Sequence, residues 1–209
     1  MLVHPWDSHL DADEWRQWLG QGRDFGQLIS VSGEWPVVVP THFVLDGDTV
    51  LVHLARPNPI WSSMETTGRA VLSVVDDYAY IPSHWRAGPE VAGTRGVPTS
   101  YYSALQLRCE VELVDDPAAK AELLRKQLRH FQPEGRYEKP ELEGPHHRLL
   151  SGIRGVRLSV VEALAKFKFD DHKPEAMRLF INDRLRQRGG LRDQSAASEQ
   201  LRRLDRKRG

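Results

Sequence analysis

Apolar and polar residues alternate along several short stretches of the chain, as they do in half-buried strands. Such stretches cover Phe25–Val31, Trp35–Leu45 and Val50–Leu54. Glycine-containing turns at Ser32-Gly33 and Asp46-Gly47 separate them. We therefore expect three consecutive antiparallel strands before residue 56.

Four further stretches are suited to strands, namely Ala70–Val75, Tyr78–Trp85, Thr99–Val114 and Gly155–Val161. The second of them contains Pro82, so it should lie at an edge or end in an irregular loop. The chain thus carries about seven strands, mostly successive, without the alternation of strands and helices that builds a parallel sheet. The pattern predicts a mainly β, α+β fold, an antiparallel β-barrel with helical additions.

Helix signals interrupt the strands. Asp11 and Asp116 are suited to cap helices, and the second is followed by Pro117 at the first helical position. Residues Ala121, Leu124, Leu128 and Phe131 recur at helical spacing and predict one buried stripe. A last helix should open at Pro174 and bury its face formed by Met177, Ile181 and Leu185.

The composition is that of one globular domain, since 40% of the 209 residues are hydrophobic and 28% are charged. We expect this domain to cover residues 1–188 and a basic tail to cover 189–209. Between Arg178 and Gly209 ten Arg or Lys stand against four Asp or Glu. Such a segment can contact DNA or form a solvated terminal helix, and the absence of a DNA-reading motif favours the helix.

The single cysteine, Cys109, excludes an intrachain disulfide and sites with several cysteine ligands, and it is expected to be a buried hydrophobe. The pair His146-His147 lacks the spacing of a helical metal site, so no metal is expected. No leader sequence and no apolar stretch long enough to span a membrane is recognisable. We therefore expect a cytoplasmic protein that does not enter membranes.

The stretch Thr49–Thr67 carries the most suggestive chemistry. A strand ends in a basic turn, and Asn58-Pro59 then begins a helix. Backbone N–H groups at the helix start, together with His53 and Arg56, would make a pocket for a phosphate or carboxylate. The alternative is an ordinary strand-to-helix connection with a solvated arginine.

Three blocks of the sequence together resemble the PaiB-like group of FMN-binding split-barrel proteins, described as negative transcriptional regulators. The first runs from Pro40-Thr41-His42 to His53–Trp61, and the second from Ala79-Tyr80-Ile81 to Tyr102. The third runs from Gly152-Ile153-Arg154-Gly155 to Lys166. The resemblance covers nearly the whole chain, and His53–Trp61 is its most specific part.

The resemblance implies that FMN binds between two identical subunits. Its phosphate would lie against His53, Arg56, Asn58 and the helix that contains Trp61, and its ring against Pro40, Thr41 and His42. The other subunit would contribute Trp85, Pro98, Thr99, Tyr102 and Lys166.

Several positions depart from the family pattern, including Ser100 in place of a tryptophan and Phe169 in the last block. These departures leave three alternatives open beside the regulator. The first is an FMN-dependent oxidoreductase, for which His42, His84 and Tyr102 would be tested as proton donors. The second is a barrel that binds haem or another cofactor, and the third is a barrel that has lost its cofactor.

Overall fold

The computed structural model describes residues 1–87, 96–142 and 150–206. Within them lie the strands β1 (Phe25–Ser30), β2 (Val37–His42), β3 (Val44–Asp46), β4 (Thr49–Ala55), β5 (Arg69–Ile81), β6 (Thr99–Val114) and β7 (Ile153–Lys168). The helices are α1 (Glu14–Leu19), α2 (Ile60–Thr67), α3 (Ser83–Arg86), α4 (Pro117–Phe131), α5 (Glu175–Arg188) and α6 (Asp193–Arg206).

The seven strands form one sheet in the order β2-β1-β5-β6-β7-β4-β3. Strand β1 pairs antiparallel with β2 and β5, and β4 pairs antiparallel with β3 and β7. The predicted α+β fold, with about seven mostly antiparallel strands and added helices, is confirmed.

The predicted strand Trp35–Leu45 is interrupted in the structure. Phe43 separates β2 from β3, and its side chain is buried. Its backbone N–H donates to the carbonyl of Asp24 at 2.9 Å instead of to a strand neighbour. The region before residue 56 therefore holds four strands, so the expected number of three was wrong.

The stretches Ala70–Val75 and Tyr78–Trp85 were predicted as two separate strands, but the structure does not separate them. They are joined in the single strand β5, which ends before Pro82. Residues Ser83–Arg86 form the short helix α3, so the strand prediction is wrong there. Pro82 lacks a backbone N–H, which explains why the strand stops at this position.

Strand β5 continues through Asp77 although this residue has a φ of 55°. The buried carboxylate of Asp77 accepts hydrogen bonds from the indole N–H of Trp18 at 2.8 Å and the hydroxyls of Ser103 and Ser195 at 2.7 and 2.9 Å. These bonds compensate for the burial of a charged group and hold the backbone in its left-handed conformation.

The chain forms two compact units. The first comprises residues 1–18, 75–105 and 164–209, and the second comprises residues 19–74 and 106–163. In the first, α5 packs on α6, and Ile181 and Leu185 are buried as predicted. In the second, α4 packs on β3 and β4 through Leu123, which contacts a cluster of Val44, Leu51 and Val114.

The C-terminal segment forms a terminal helix, as favoured by its sequence, but this helix is packed and not solvated. Gly189 ends α5 with a φ of 62°, and α6 follows at once. Helix α6 buries Ala196, Ala197 and Leu204, and even the guanidinium of Arg203. Most of the predicted tail is therefore a packed helix of the first unit.

Cys109 is buried in β6, and burial raises the pKa of its thiol to about 12. Across residues 1–87, 96–142 and 150–206, no group of three or more His, Cys, Asp or Glu side chains is arranged to hold a metal ion. The pair His146-His147 lies outside the described residues. No helix in the described part of the chain is both long and apolar enough to cross a bilayer.

Candidate functional site

Strand β4 directs its alternate side chains to opposite faces. Val50 and Val52 are fully buried, whereas Leu51 and His53 lie on the other face, toward α4. Strand β7 places Gly155 opposite His53. A Cβ at Gly155 would lie only 3.0 Å from a methyl group of Leu123, so the absence of a side chain there lets α4 pack closely on the sheet.

Helix α4 begins as the sequence predicts, because the carboxylate of Asp116 accepts from the N–H of Ala119 at 2.8 Å. The predicted buried stripe is wrong in part. Ala121 is buried, but Leu124 and Leu128 are half-buried and Phe131 is 37% exposed. These three apolar residues border a cavity instead of completing the core.

This cavity, called the α4 cavity below, has a volume of about 600 Å³. Its lining is mostly apolar and includes rings that suit a planar ligand. Two of the predicted site residues, His42 and His53, line it. The full lining comprises His42, His53, Leu124, Gln127, Leu128, Phe131, Tyr137, Glu138, Pro140 and Ile153.

His42 and His53 lie next to each other in the α4 cavity. Their ring centroids are 5.3 Å apart, and the ring of His42 also meets that of Phe131 edge to face at 5.1 Å. Nδ1 of His53 is 2.6 Å from Oε1 of Gln127. Burial lowers the pKa of His53 more than the bond to Gln127 raises it, so the imidazole is neutral at pH 7.

Arg56 lines a second, smaller cavity of about 330 Å³, called the Arg56 cavity below. Its guanidinium donates to the carbonyl of Ser151 at 3.0 Å and to the carboxylate of Asp115 at 3.4 Å, and its side chain is about half exposed (48%). The cavity is lined by Arg56, Asp115, Pro117, Lys120, Leu150 and Ser151.

Further cations surround Asp115. Arg154 donates to both of its oxygens, at 2.9 and 2.6 Å, and this pairing holds the pKa of Asp115 below its usual range. The ammonium of Lys120 bonds to the carbonyl of Ile153 at 3.2 Å, and burial lowers its pKa. Arg154 also donates to the carboxylate of Glu65 at 2.5 Å, so the region around Arg56 combines three cationic side chains with two carboxylates.

The start of α2 differs from the predicted anion pocket. The side chain of Asn58 accepts from the N–H of Ile60 at 3.1 Å, as a cap does, so this donor is already used. Trp61 is buried and donates its indole N–H to the carbonyl of Ala55 at 2.9 Å. Both residues therefore support the turn that presents Arg56.

Strand β2 holds the other predicted residues of this unit. Register pairs Gln27 with Pro40 and Phe25 with His42, so one face of β1 and β2 carries Phe25, Pro40 and His42. Pro40 is exposed, whereas Thr41 points to the opposite face and is buried. His42 thus joins an open sheet face to the α4 cavity.

The five predicted residues of the opposing wall lie in the first unit. Three of them are brought together: Lys166 lies 5.7 Å from the ring centre of Tyr102, and Lys168 bonds to the hydroxyl of Thr99 at 2.9 Å. Lys168 also lies 5.8 Å from the ring of Tyr102. Lys166 donates to the carbonyl of Leu2 at 2.9 Å.

Trp85 and Pro98 do not join that group of contacts. Trp85 is buried, and the guanidinium of Arg188 lies 4.7 Å from its ring centre. Pro98 is exposed.

Near Lys166, burial raises the pKa of Asp7, although the ammonium of Lys166 at 3.9 Å opposes that shift.

The residues of these surroundings that were not predicted from the sequence include Lys120, Gln127 and Lys168. Gln127 carried a signal, because it is a polar residue three positions after Leu124 on the apolar side of α4. Lys168 directly precedes Phe169, which departs from the family pattern, but it was not itself a predicted site residue. Nothing in the sequence marked Lys120, since a lysine in the first turn of a helix is ordinarily solvated.

Comparison with known structures shows the same architecture in flavin-related proteins. The flavocytochrome Anf3 from Azotobacter vinelandii is similar over 84% of this chain and 76% of its own, with a TM-score of 0.63 and 21% identity. The FAD and heme binding protein from Mycobacterium smegmatis is similar over 77% of this chain and 73% of its own, with a TM-score of 0.59 and 18% identity.

A third structure, the conserved hypothetical protein Rv2991 from Mycobacterium tuberculosis, is similar over 84% of this chain and 95% of its own. Its TM-score is 0.56 and its identity 10%. At such identities these likenesses show the fold alone, that of the flavin-binding split barrels. A search among curated proteins found no match.

The sequence identifies the family of the chain, which the similarity of fold does not. Residues 1–162 match the model of a family described as "Putative FMN-binding domain". The match contains β1 to β6, most of β7 and both cavities, whereas α5 and α6 follow it. FMN is therefore the cofactor of this domain, and the chain belongs to that FMN-binding family.

Proposed function

We propose that the protein binds FMN along α4, with the isoalloxazine ring in the α4 cavity and the phosphate in the Arg56 cavity. The carrying observation is that one helix borders both spaces. Lys120 lines the Arg56 cavity and Gln127 the α4 cavity. Seven residues of helix separate them, which corresponds to about 10 Å along the axis. A flavin with its ribityl chain spans such a distance.

The chemistry of the two cavities supports this orientation. The apolar, aromatic lining of the α4 cavity suits a planar ring. Arg56 is half exposed, and its bond to Asp115 is long, so a phosphate can replace that carboxylate as its partner. Asp115 would keep its two bonds to Arg154.

Absorbance of the purified protein tests the proposal directly. We expect the visible spectrum of a flavin, or a colourless protein that gains it on titration with FMN. Saturable FMN binding supports the proposal. A protein that neither carries nor binds FMN contradicts it.

A homodimer completes the proposal. The face formed by β1 and β2 exposes Phe25 (63%) and Val38 (46%) next to Pro40. Exposed apolar patches of this kind are typical of association surfaces. His42 adjoins this face, and the family resemblance implies that a second subunit supplies Thr99, Tyr102 and Lys166 to the ring.

The biological role that the resemblance suggests is a flavin-dependent negative transcriptional regulator of the PaiB type. The basic segment after Arg178 offers exposed arginines at Arg184, Arg186 and Arg192 for contact with DNA. Substituting these three by Ser removes charge while sparing α6, which a deletion would destroy. If this segment binds duplex DNA directly, the affinity should fall steeply with increasing salt and should be lower in this variant. An affinity that changes with neither salt nor the three substitutions excludes DNA contact through this segment.

A second candidate is haem binding, and one observation favours it. His53 presents a ring nitrogen with no hydrogen-bond partner among the described residues to an apolar cavity. A neutral imidazole of this kind can ligate iron. Haem titration distinguishes the candidates, because ligation by His53 gives a Soret band that is altered in His53→Phe, whereas FMN gives no such band.

Enzymatic turnover of the flavin is tested separately. Anaerobic addition of NADH or NADPH to the FMN-loaded protein bleaches the flavin if the protein is an oxidoreductase that uses that donor. An unchanged spectrum excludes that donor and leaves the regulator as the better description.

A further inference from the structure

The orientation of the Gln127 side chain follows from its two partners. Its Nε2 lies 3.1 Å from the carbonyl oxygen of Leu51, and its Oε1 lies 2.6 Å from Nδ1 of His53. The carbonyl of Leu51 can only accept, so the amide NH₂ must face it. The amide oxygen therefore faces His53, and the opposite orientation would place two oxygens against each other.

This orientation determines the tautomer of His53. Because the amide oxygen of Gln127 accepts, Nδ1 of His53 must carry the hydrogen. In a neutral ring Nε2 then has a free lone pair and no hydrogen. Gln127 is itself buried and bonded at both ends, so the imidazole cannot exchange its roles without losing a buried bond.

We propose that Gln127 is a positioning residue that keeps Nε2 of His53 an acceptor, so that the α4 cavity selects planar ligands that donate an N–H to it. The inference rests on the proposed function for its ligand: the donor is the imide N3–H at the pyrimidine edge of the flavin. His53 therefore recognises the ring rather than the phosphate, because an acceptor nitrogen cannot donate to phosphate oxygens.

Two features of the cavity agree with this assignment. Arg56, which can donate to a phosphate, lines the other cavity. The surface of the α4 cavity is mostly apolar, although His42, Tyr137 and Glu138 also line it, so an N–H that meets its apolar part would lose its hydrogen bond to water without replacement. A single acceptor at this position thus discriminates between ligands of the same shape.

The first test measures the tautomer in the protein without cofactor. Nitrogen-15 NMR distinguishes a protonated from an unprotonated ring nitrogen, and we expect His53 to carry its hydrogen on Nδ1. In Gln127→Leu the preference should weaken or invert, whereas the exposed Gln132 at the end of α4 supplies the control Gln132→Leu, which should leave it unchanged. A wild-type ring protonated on Nε2 overturns the inference whether or not FMN binds.

The second test uses ligands that lack the phosphate. Riboflavin and its N3-methyl derivative have nearly the same shape, but only riboflavin can donate from N3. We expect N3-methylation to weaken binding to the wild type about tenfold, the size of one hydrogen bond. In Gln127→Leu this ratio should fall toward one, and in Gln132→Leu it should persist.

The two proposals fail in different ways. If FMN binds but N3-methylation has no effect, the inference fails and the proposed function stands. If neither FMN nor riboflavin binds, the proposed function and the assigned ligand fail together. The NMR experiment then still decides whether Gln127 positions His53.

Discussion

The guanidinium of Arg203 donates to the carboxylate of Glu14 at 2.8 Å, and both side chains are fully buried (0% exposed). The two residues are 189 positions apart in the sequence. Arg203 also bonds to Asp171 at 2.8 Å, and Asp171 in turn accepts from Arg178 at 2.6 Å. Buried charges thus join α1, α5 and α6 within the first unit.

Replacing Arg203 by Ala should lower the free energy of unfolding by about 3–5 kcal/mol, because Glu14 and Asp171 would lose a buried partner. Urea denaturation measures this loss. Arg206→Ala on the same helix is the matched control, since Arg206 is partly exposed and its pairing with Asp11 should contribute about 0–1 kcal/mol. Equal losses in the two variants would contradict the proposed importance of the buried pairs.

Arg56→Ala should weaken FMN binding by about 1.5–3 kcal/mol, the value of a charge-assisted hydrogen bond. Riboflavin binding should change little, because riboflavin has no phosphate. Isothermal titration with both ligands measures the difference. The control is Arg157→Ala, which removes an arginine on β7 that pairs with Glu112 on β6. A similar loss for both ligands would place the phosphate elsewhere.

Acid should weaken riboflavin binding. Burial lowers the pKa of His53 below the ordinary value of about 6.5, so the ring protonates, and Nε2 becomes a donor, only below that pH. We expect affinity to fall as the pH falls through the folded-state pKa. The other titratable groups lining the cavity are His42, Tyr137 and Glu138. His42→Phe should keep the pH dependence and His53→Phe should lose it; the reverse result would assign it to His42.

The lowered pKa of His53 also makes the stability of the fold depend on pH. Below about pH 6.5 the unfolded chain binds a proton at His53 before the folded chain does. The free energy of unfolding should therefore decrease as the pH falls from 6.5 to the folded-state pKa of His53. Below that pKa the contribution of His53 should not change further. Urea denaturation of wild type and His53→Phe across this range isolates the contribution.

Val38→Glu should dissociate the proposed dimer, because it introduces a charge into the apolar face of β1 and β2. Sedimentation measures the change in mass, and FMN binding should weaken in parallel if the second subunit completes the site. Val161→Glu is the matched control, since Val161 is similarly exposed (62%) on β7. A wild-type protein that sediments as a monomer would already refute the dimer.

Cys109 should react slowly with iodoacetamide in the folded protein. Its thiol is buried, and a pKa of about 12 leaves almost no thiolate at pH 8. The labelling rate should rise strongly in urea, where the thiol is exposed. Rapid labelling of the folded protein would show that β6 opens at this position.

Local patterns predicted what local physics controls. Asp116 caps α4, β6 coincides with its predicted run, and β7 contains its predicted run, because capping and alternation depend on neighbours in the chain. The residues that carry the family resemblance led to the fold and to FMN; the seven-stranded sheet supports the first, and the match of residues 1–162 supports the second.

The chemistry around His53 could not be predicted in this way. Gln127 is 74 residues distant in sequence, and its amide determines the tautomer only because Gly155 lets α4 approach the sheet. The same packing left Leu124, Leu128 and Phe131 facing a cavity, although their spacing alone predicted burial.

The stretch Thr49–Thr67 contains both kinds of feature, those set by local sequence and those set by tertiary packing. The sequence alone determined that a strand ends in a basic turn and that Asn58 caps the helix that follows. The tertiary structure decided that His53 faces Gln127 while Arg56 faces Asp115, in two different cavities. The physical reason is that capping is satisfied within a few residues, whereas the environment of a side chain depends on which distant elements pack against it.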